Sequence, residues 1–144
     1  MSISYFTIMR EKKMPVLVMF IDLDRLKYIN DTFGHEYGDF AIVSIAKAML
    51  KHCDADAIAA RTGGDEFIVL EGAKDEESGR VLAQKIRTEL SKTQRAMQLP
   101  FDLGASIGAV VAHPGEENVL ESYVKRAEML MYEEKAEKKV SRDS

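Results

Sequence analysis

The distribution of apolar positions sorts the chain into strands and helices before any side chain's chemistry is considered. Val16-Leu17-Val18-Met19-Phe20-Ile21 is an unbroken apolar run without alternation, which predicts a strand buried on both faces. Ahead of it, Phe6, Met9 and Arg10 within Ile3 to Lys13 predict a short helix ended by Pro15. After it, Leu26, Ile29 and Phe33 recur at helical spacing, and Gly34 offers a left-handed stop. Asp39 stands where an N-cap belongs for a second helix whose Ile42, Ile45, Ala46, Met49 and Leu50 share a face. Ala57 to Arg61 and Phe67 to Leu70 flank Thr62-Gly63-Gly64-Asp65, predicting two strands and a tight hairpin whose paired glycines supply positive φ. Val81, Leu82, Ile86 and Leu90 mark another helix. Phe101 to Val111 reads as a strand with Gly104 and Gly108 as bulge or close-approach positions. Val119 to Lys139 closes the chain as a helix with Val124, Ala127, Leu130 and Met131 inward.

This order mixes hairpins with crossovers, so the fold class expected is α+β, with helices packed on a mostly antiparallel sheet. No linker or internal repeat interrupts the pattern, and residues 1–144 read as a single domain. A chain of 144 residues buries roughly two-thirds of its unfolded surface and needs no disulfide to hold a core. Its one cysteine, Cys53, fits a reducing compartment. A net charge of -4 argues against a non-specific nucleic-acid binder. No apolar run is long enough to cross a bilayer and the start lacks a signal-peptide pattern, so the expected location is cytoplasmic.

Asp22 and Asp24 sit at the exit of the buried strand, on one face, with Leu23 on the other. Carboxylates there are unfavourable unless solvated, capping a helix or bound to a cation; the plainest reading makes Asp24 the cap of the next helix. Asp65 and Glu66 form a second acidic pair on the hairpin. If the hairpin lies beside the first strand, Asp22 and Asp65 meet at one sheet edge, an arrangement suited to hard divalent ions and, with two ions, to displacement at phosphorus. No Walker-type Gly-x-x-x-x-Gly-Lys pattern is present.

Arg61 followed by Gly63-Gly64-Asp65-Glu66-Phe67, the run Asp22-Leu23-Asp24-Arg25-Leu26-Lys27-Tyr28-Ile29-Asn30-Asp31, Gly34-His35 with Gly38-Asp39, Ser106-Ile107-Gly108 and the stretch from Tyr132 to Lys135 together resemble the GGDEF domain of diguanylate cyclases. The resemblance runs from about Val16 to Lys135. It implies a palm-like domain that binds GTP, two such domains facing each other as a homodimer to condense two GTP into cyclic di-GMP and pyrophosphate. It implies two Mg²⁺ ions per GTP, with Mn²⁺ as an alternative, held by Asp22, the Leu23 carbonyl and Asp65. Asp65, Glu66 and Lys27 become the catalytic candidates, Asp65 as base for the ribose 3′-hydroxyl and Lys27 facing the phosphates. Asn30 and Asp39 would recognise guanine, whose N1-H and N2-H can both donate to one carboxylate, whereas adenine has no such pair. His35 would contact the nucleotide, and Lys135 and Lys139 the terminal phosphates.

Three departures from the family pattern change these expectations. Only Met1 to Ile21 precede Asp22, without the family's Asp-x-Leu-Thr-Gly-Leu-x-Asn-Arg segment, so the chain reads as a piece of a larger protein with sensor or effector domains. Lys138-Lys139-Val140 replaces the usual Gly-Arg-Asn, and a lysine lacks arginine's planar fork for phosphate, so weaker triphosphate affinity is expected. The inhibitory Arg-x-x-Asp that binds product is replaced by Asp54 and Ala57, so no feedback inhibition is expected there. The leading reading is a cyclase; its rivals are a GTP-binding regulatory domain and an interaction domain without nucleotide. His52 and Cys53 lack the second Cys or His cluster a zinc site needs and read as packing and helix-end residues.

Overall fold

Strand β1 (Val16–Leu23) has every residue buried, and a strand with no polar side to turn to water must lie inside a sheet. It does: the computed structural model, which describes residues 3–116 and 119–143, contains a four-stranded sheet in the order β2-β3-β1-β4. Strands β2 (Ile58–Arg61) and β3 (Glu66–Gly72) form the hairpin; β3 and β4 (Ala105–Ala112) flank β1, and every pairing is antiparallel. The fold is α+β.

Alternation along β1 splits the core into two layers. Leu17, Met19, Ile21 and Leu23 pack with Ile29 of α2 (Leu26–Phe33), Ile45 of α3 (His35–His52) and Ile86 of α4 (Ser78–Ala96). Val16, Val18 and Phe20 pack with Phe6 of α1 (Ile3–Glu11) and with Tyr123, Ala127 and Met131 of α5 (Leu120–Asp143). Asp22, next in this second series, emerges beneath α5. Helix α5 comes close to the sheet because β4 carries Gly108: a Cβ there would lie 1.9 Å from the Ala127 carbonyl oxygen. The close-approach expectation for Gly108 therefore holds.

Several sequence expectations need correction. Asp39 is not an N-cap: α3 begins at His35, and its first turn is closed by the Gly34 carbonyl, which accepts from Tyr37 and Gly38. Gly34 also ends α2, donating its N–H to the Asn30 carbonyl, and its φ of 102° with ψ of 158° is open only to glycine. Asp24 does not cap α2; Arg25 holds that position with a left-handed φ of 56° and no side-chain cap bond. The hairpin forms, yet among the described glycines only Gly34 has a positive φ. The turn is held instead by Arg61, which donates from Nε to the Gly63 carbonyl (3.1 Å) and from Nη2 to the Gly64 carbonyl (2.6 Å).

The last strand starts at Ala105 rather than Phe101; Phe101 and Leu103 still reach the core, from a loop pinned where Leu103 N–H donates to Gln94 Oε1. Val81 and Leu130 are exposed, because the inward stripes are Leu82, Ile86 and Leu90 on α4 and Tyr123, Ala127 and Met131 on α5. Helix α5 runs past Lys139 to Asp143, with lysine at 138 in place of a helix-weakening glycine.

Candidate functional site

The β1–β3 register sets Asp22 opposite Glu66, and the Leu23 N–H donates to the Asp65 carbonyl at 3.0 Å. Acids far apart in the chain thereby meet: carboxylate oxygens of Asp22, Asp65 and Glu66 all lie within 4.8 Å of one another. Asp22 is 5% exposed, and its Oδ1 has no hydrogen-bond partner among the described residues. Burial pushes its pKa up to about 7; Lys135 opposes that rise and Asp65 adds to it. An orphaned buried carboxylate oxygen beside two more carboxylates and a main-chain carbonyl is a set of hard oxygen donors whose negative charge one neighbouring ammonium does not balance. It fits a divalent ion such as Mg²⁺ or Mn²⁺.

The nearest cations come from α5. Lys135 Nζ lies 3.3 Å from the Leu23 carbonyl oxygen, 3.4 Å from Asp22 Oδ2 and 4.0 Å from Asp24 Oδ1. Lys138, three residues on and therefore on the same helix face, donates to Asp24 Oδ2 at 2.6 Å and to the Ala105 carbonyl at 2.8 Å. Ser106 Oγ donates to Asp24 Oδ1 at 2.7 Å. Glu134 accepts from the Ile107 N–H (3.2 Å) and from Arg87 (2.8 Å). Glu134 and Lys138, one turn apart, thus satisfy an N–H and a carbonyl on the outer edge of β4, an edge that would otherwise be open to pairing.

Sequence reasoning missed the Asp24–Lys138–Ser106 cluster. Its signal was there: Asp24 shares a face with Asp22, and Lys135 and Lys138 are spaced to meet a pair of acids.

The other expected residues divide between a second group and isolated positions. Asn30 on α2 is half-buried against α3, where Gly38 makes room for it: a Cβ at 38 would fall 1.7 Å from Asn30 Oδ1. Asp39 follows Gly38 directly on α3 and is exposed, one position on from the glycine that Asn30 packs against. Lys27 and His35 are exposed on the same two helices. Lys139 is exposed and takes no part in the ion pairs around the acids. Asp54 and Ala57 lie between α3 and β2, where they line a cavity of about 340 Å³ with Cys53 and Ala59.

The GGDEF domain model, described as diguanylate cyclase, matches residues 5–141. Diguanylate cyclase VdcA of Vibrio cholerae is 34% identical over 134 residues, covering 90% of this chain and 39% of VdcA. The active GGEEF domain of a diguanylate cyclase from Vibrio cholerae superimposes with a TM-score of 0.76 at 26% identity, covering 89% of this chain and 81% of that one. The GGDEF domain of DgcB from Caulobacter crescentus, solved in complex with c-di-GMP, gives 0.75 at 27% identity, covering 91% and 78%. An antiparallel sheet with clustered acids at one end defines the class, and the family follows from the match: this chain belongs to the GGDEF domain family of diguanylate cyclases. It spans less than half the length of the curated relatives it matches. Among the described residues no helix is long and apolar enough to cross a membrane.

Proposed function

We propose that this chain is a diguanylate cyclase domain of a longer protein, condensing two GTP into cyclic di-GMP and two pyrophosphates between the domains of a homodimer. The observation that carries the reading is the Asp22, Asp65 and Glu66 cluster with its orphaned Asp22 oxygen beside the Leu23 carbonyl. Asp22, the Leu23 carbonyl and Asp65 would hold two Mg²⁺ ions, which supply charge neutralisation at the phosphates and acidify a bound hydroxyl. Asn30 and Asp39 take the guanine edge at the α2–α3 junction, with His35 beside them on α3. The pairing excludes adenine, which would leave Asp39 unpaired.

Lys27, Lys135 and Lys139 hold the phosphates. Asp65 takes the proton from the 3′-hydroxyl of one ribose; that oxygen bonds to the α-phosphorus of the other GTP, and the bond to pyrophosphate breaks. A second such transfer closes the ring. Because each transfer needs a GTP from the facing domain, dimerisation raises the effective concentration of the reacting partner and acts as the switch. Asp54 offers a carboxylate where product phosphates would need a cation, so this domain carries no product brake at that corner.

The regulatory alternative, GTP binding without turnover, rests on Lys138-Lys139-Val140, in which Lys138 is committed to Asp24 and Lys139 is the exposed lysine. Fusing a dimeric coiled coil to the chain, adding GTP and Mg²⁺ and assaying cyclic di-GMP by mass separates the two. Product is expected, and Asp65→Ala should reduce it by on the order of a thousandfold. GTP binding without product would establish the regulator; binding of neither GTP nor Mg²⁺ would remove both.

A further inference from the structure

Lys135 and Lys138 stand one turn apart on α5 and face one acidic network, yet they are held very differently. Lys138 makes two short charge-assisted contacts, 2.6 Å to Asp24 and 2.8 Å to the Ala105 carbonyl, and so is fixed to the sheet. The three contacts of Lys135 are longer, 3.3 Å to the Leu23 carbonyl, 3.4 Å to Asp22 and 4.0 Å to Asp24, all beyond the usual charge-assisted range. Two of those three oxygen-bearing groups, Asp22 and the Leu23 carbonyl, are the ones that fit a divalent ion. Asp22 is buried, and its Oδ1 has no hydrogen-bond partner among the described residues.

We infer that Lys135 is the resident counter-ion of Asp22 in the metal-free domain and that a divalent ion must displace its ammonium from Asp22 and the Leu23 carbonyl in order to bind. This deepens the cyclase reading and rests on its metal site. The physical reason is exclusion on two counts. The Leu23 carbonyl that accepts from the ammonium is one an ion would use, and an ammonium 3.4 Å from Asp22 Oδ2 repels a dication placed on either oxygen of that carboxylate. Lys138 cannot leave in its place without freeing both Asp24 and an edge carbonyl of β4. It holds α5 still while Lys135, at 29% side-chain exposure, swings outward on its flexible stem. The displaced ammonium then becomes free for an anionic ligand at the moment the ion arrives, which couples ion entry to capture of a triphosphate.

The test uses the whole chain stripped of metal, titrated with Mn²⁺ and followed by calorimetry and by the loss of free-ion paramagnetic signal. Lys135→Met should bind Mn²⁺ at least about fivefold more tightly than the unaltered chain, since the competing cation is gone. Lys135→Arg, which keeps the charge, should stay within about twofold, and Lys138→Met should show no tightening. Without metal, Lys135→Met should lower the melting temperature, and adding Asp22→Asn should restore it, because the carboxylate that needed the counter-ion is then neutral. If Lys135→Met does not fold, Lys135→Gln carries the same expectations.

Equal or weaker Mn²⁺ affinity after loss of the lysine charge overturns the exchange and leaves the metal site standing. An unchanged melting temperature in metal-free Lys135→Met overturns the counter-ion role. Absence of Mn²⁺ uptake by every variant overturns the exchange and the metal reading together.

Discussion

Asp22 at the end of β1 and Glu71 near the end of β3 are both nearly excluded from water, 5% and 8% exposed, yet their surroundings differ in kind. Glu71 is served by a neutral donor: its Oε1 accepts the Asp54 N–H at 3.1 Å, and the neighbouring Cys53 thiol also favours its ionised form. Burial raises its pKa, with the Asp54 N–H pulling the other way. Asp22 has an ammonium at 3.4 Å, two acidic neighbours and an oxygen with no partner. A carboxylate held by a main-chain donor closes a corner of the fold. One left short of donors beside other acids is ready for a cation. The donors make the difference, since Glu71 too has acidic neighbours in Asp54 and Asp56.

The largest effect that tests the contrast belongs to Cys53. Burial, reinforced by the nearby Glu71 and Asp54 charges, pushes its thiol from the ordinary value near 9.0 up to about 12. At pH 8 the thiolate fraction falls by on the order of a thousandfold, so alkylation by iodoacetamide, read by mass, should be slower than in the unfolded chain by about that factor. Alkylation at an ordinary rate would mean the corner is open.

Next in size is Glu71→Ala. It strands the Asp54 N–H and should lower unfolding stability in urea by about 1–3 kcal/mol, while Mn²⁺ uptake at the acid cluster stays unchanged. A parallel loss of Mn²⁺ affinity would show the two corners to be coupled.

A further effect lies in the pH profile. A thiol whose folded pKa is raised binds its proton more tightly in the native state. Its contribution is therefore complete below pH 9 and is lost as pH climbs through about 12. Cys53→Ser should flatten that decline between pH 9 and 12, measured as the difference between the two urea-unfolding profiles. A profile no flatter than the original would place the thiol in water.

Much of this molecule was legible in one dimension. The run from Val16 to Ile21 announced a central strand because burial on both faces demands apolar side chains, and the acids at its exit stood out because an apolar residue was due at Asp22. The hairpin was legible too, though its mechanism was misread: Arg61 rather than positive-φ glycine holds the turn. The α3 boundary was also missed. Asp39 has the chemistry of a cap, but the Gly34 carbonyl already closes that first turn, a main-chain event that side-chain patterns do not report.

By itself the sequence determined the elements, the two faces of β1 and the family motif, since strand alternation, helical spacing and residue chemistry are properties of neighbours along the chain. Only the tertiary structure decided which of the three lysines in the second half of α5 serves which acid. Lys135 hovers over Asp22, Lys138 grips Asp24, and Lys139 stays outside. That choice depends on how closely α5 approaches the sheet, an approach that Gly108 permits and that spacing along the chain cannot encode.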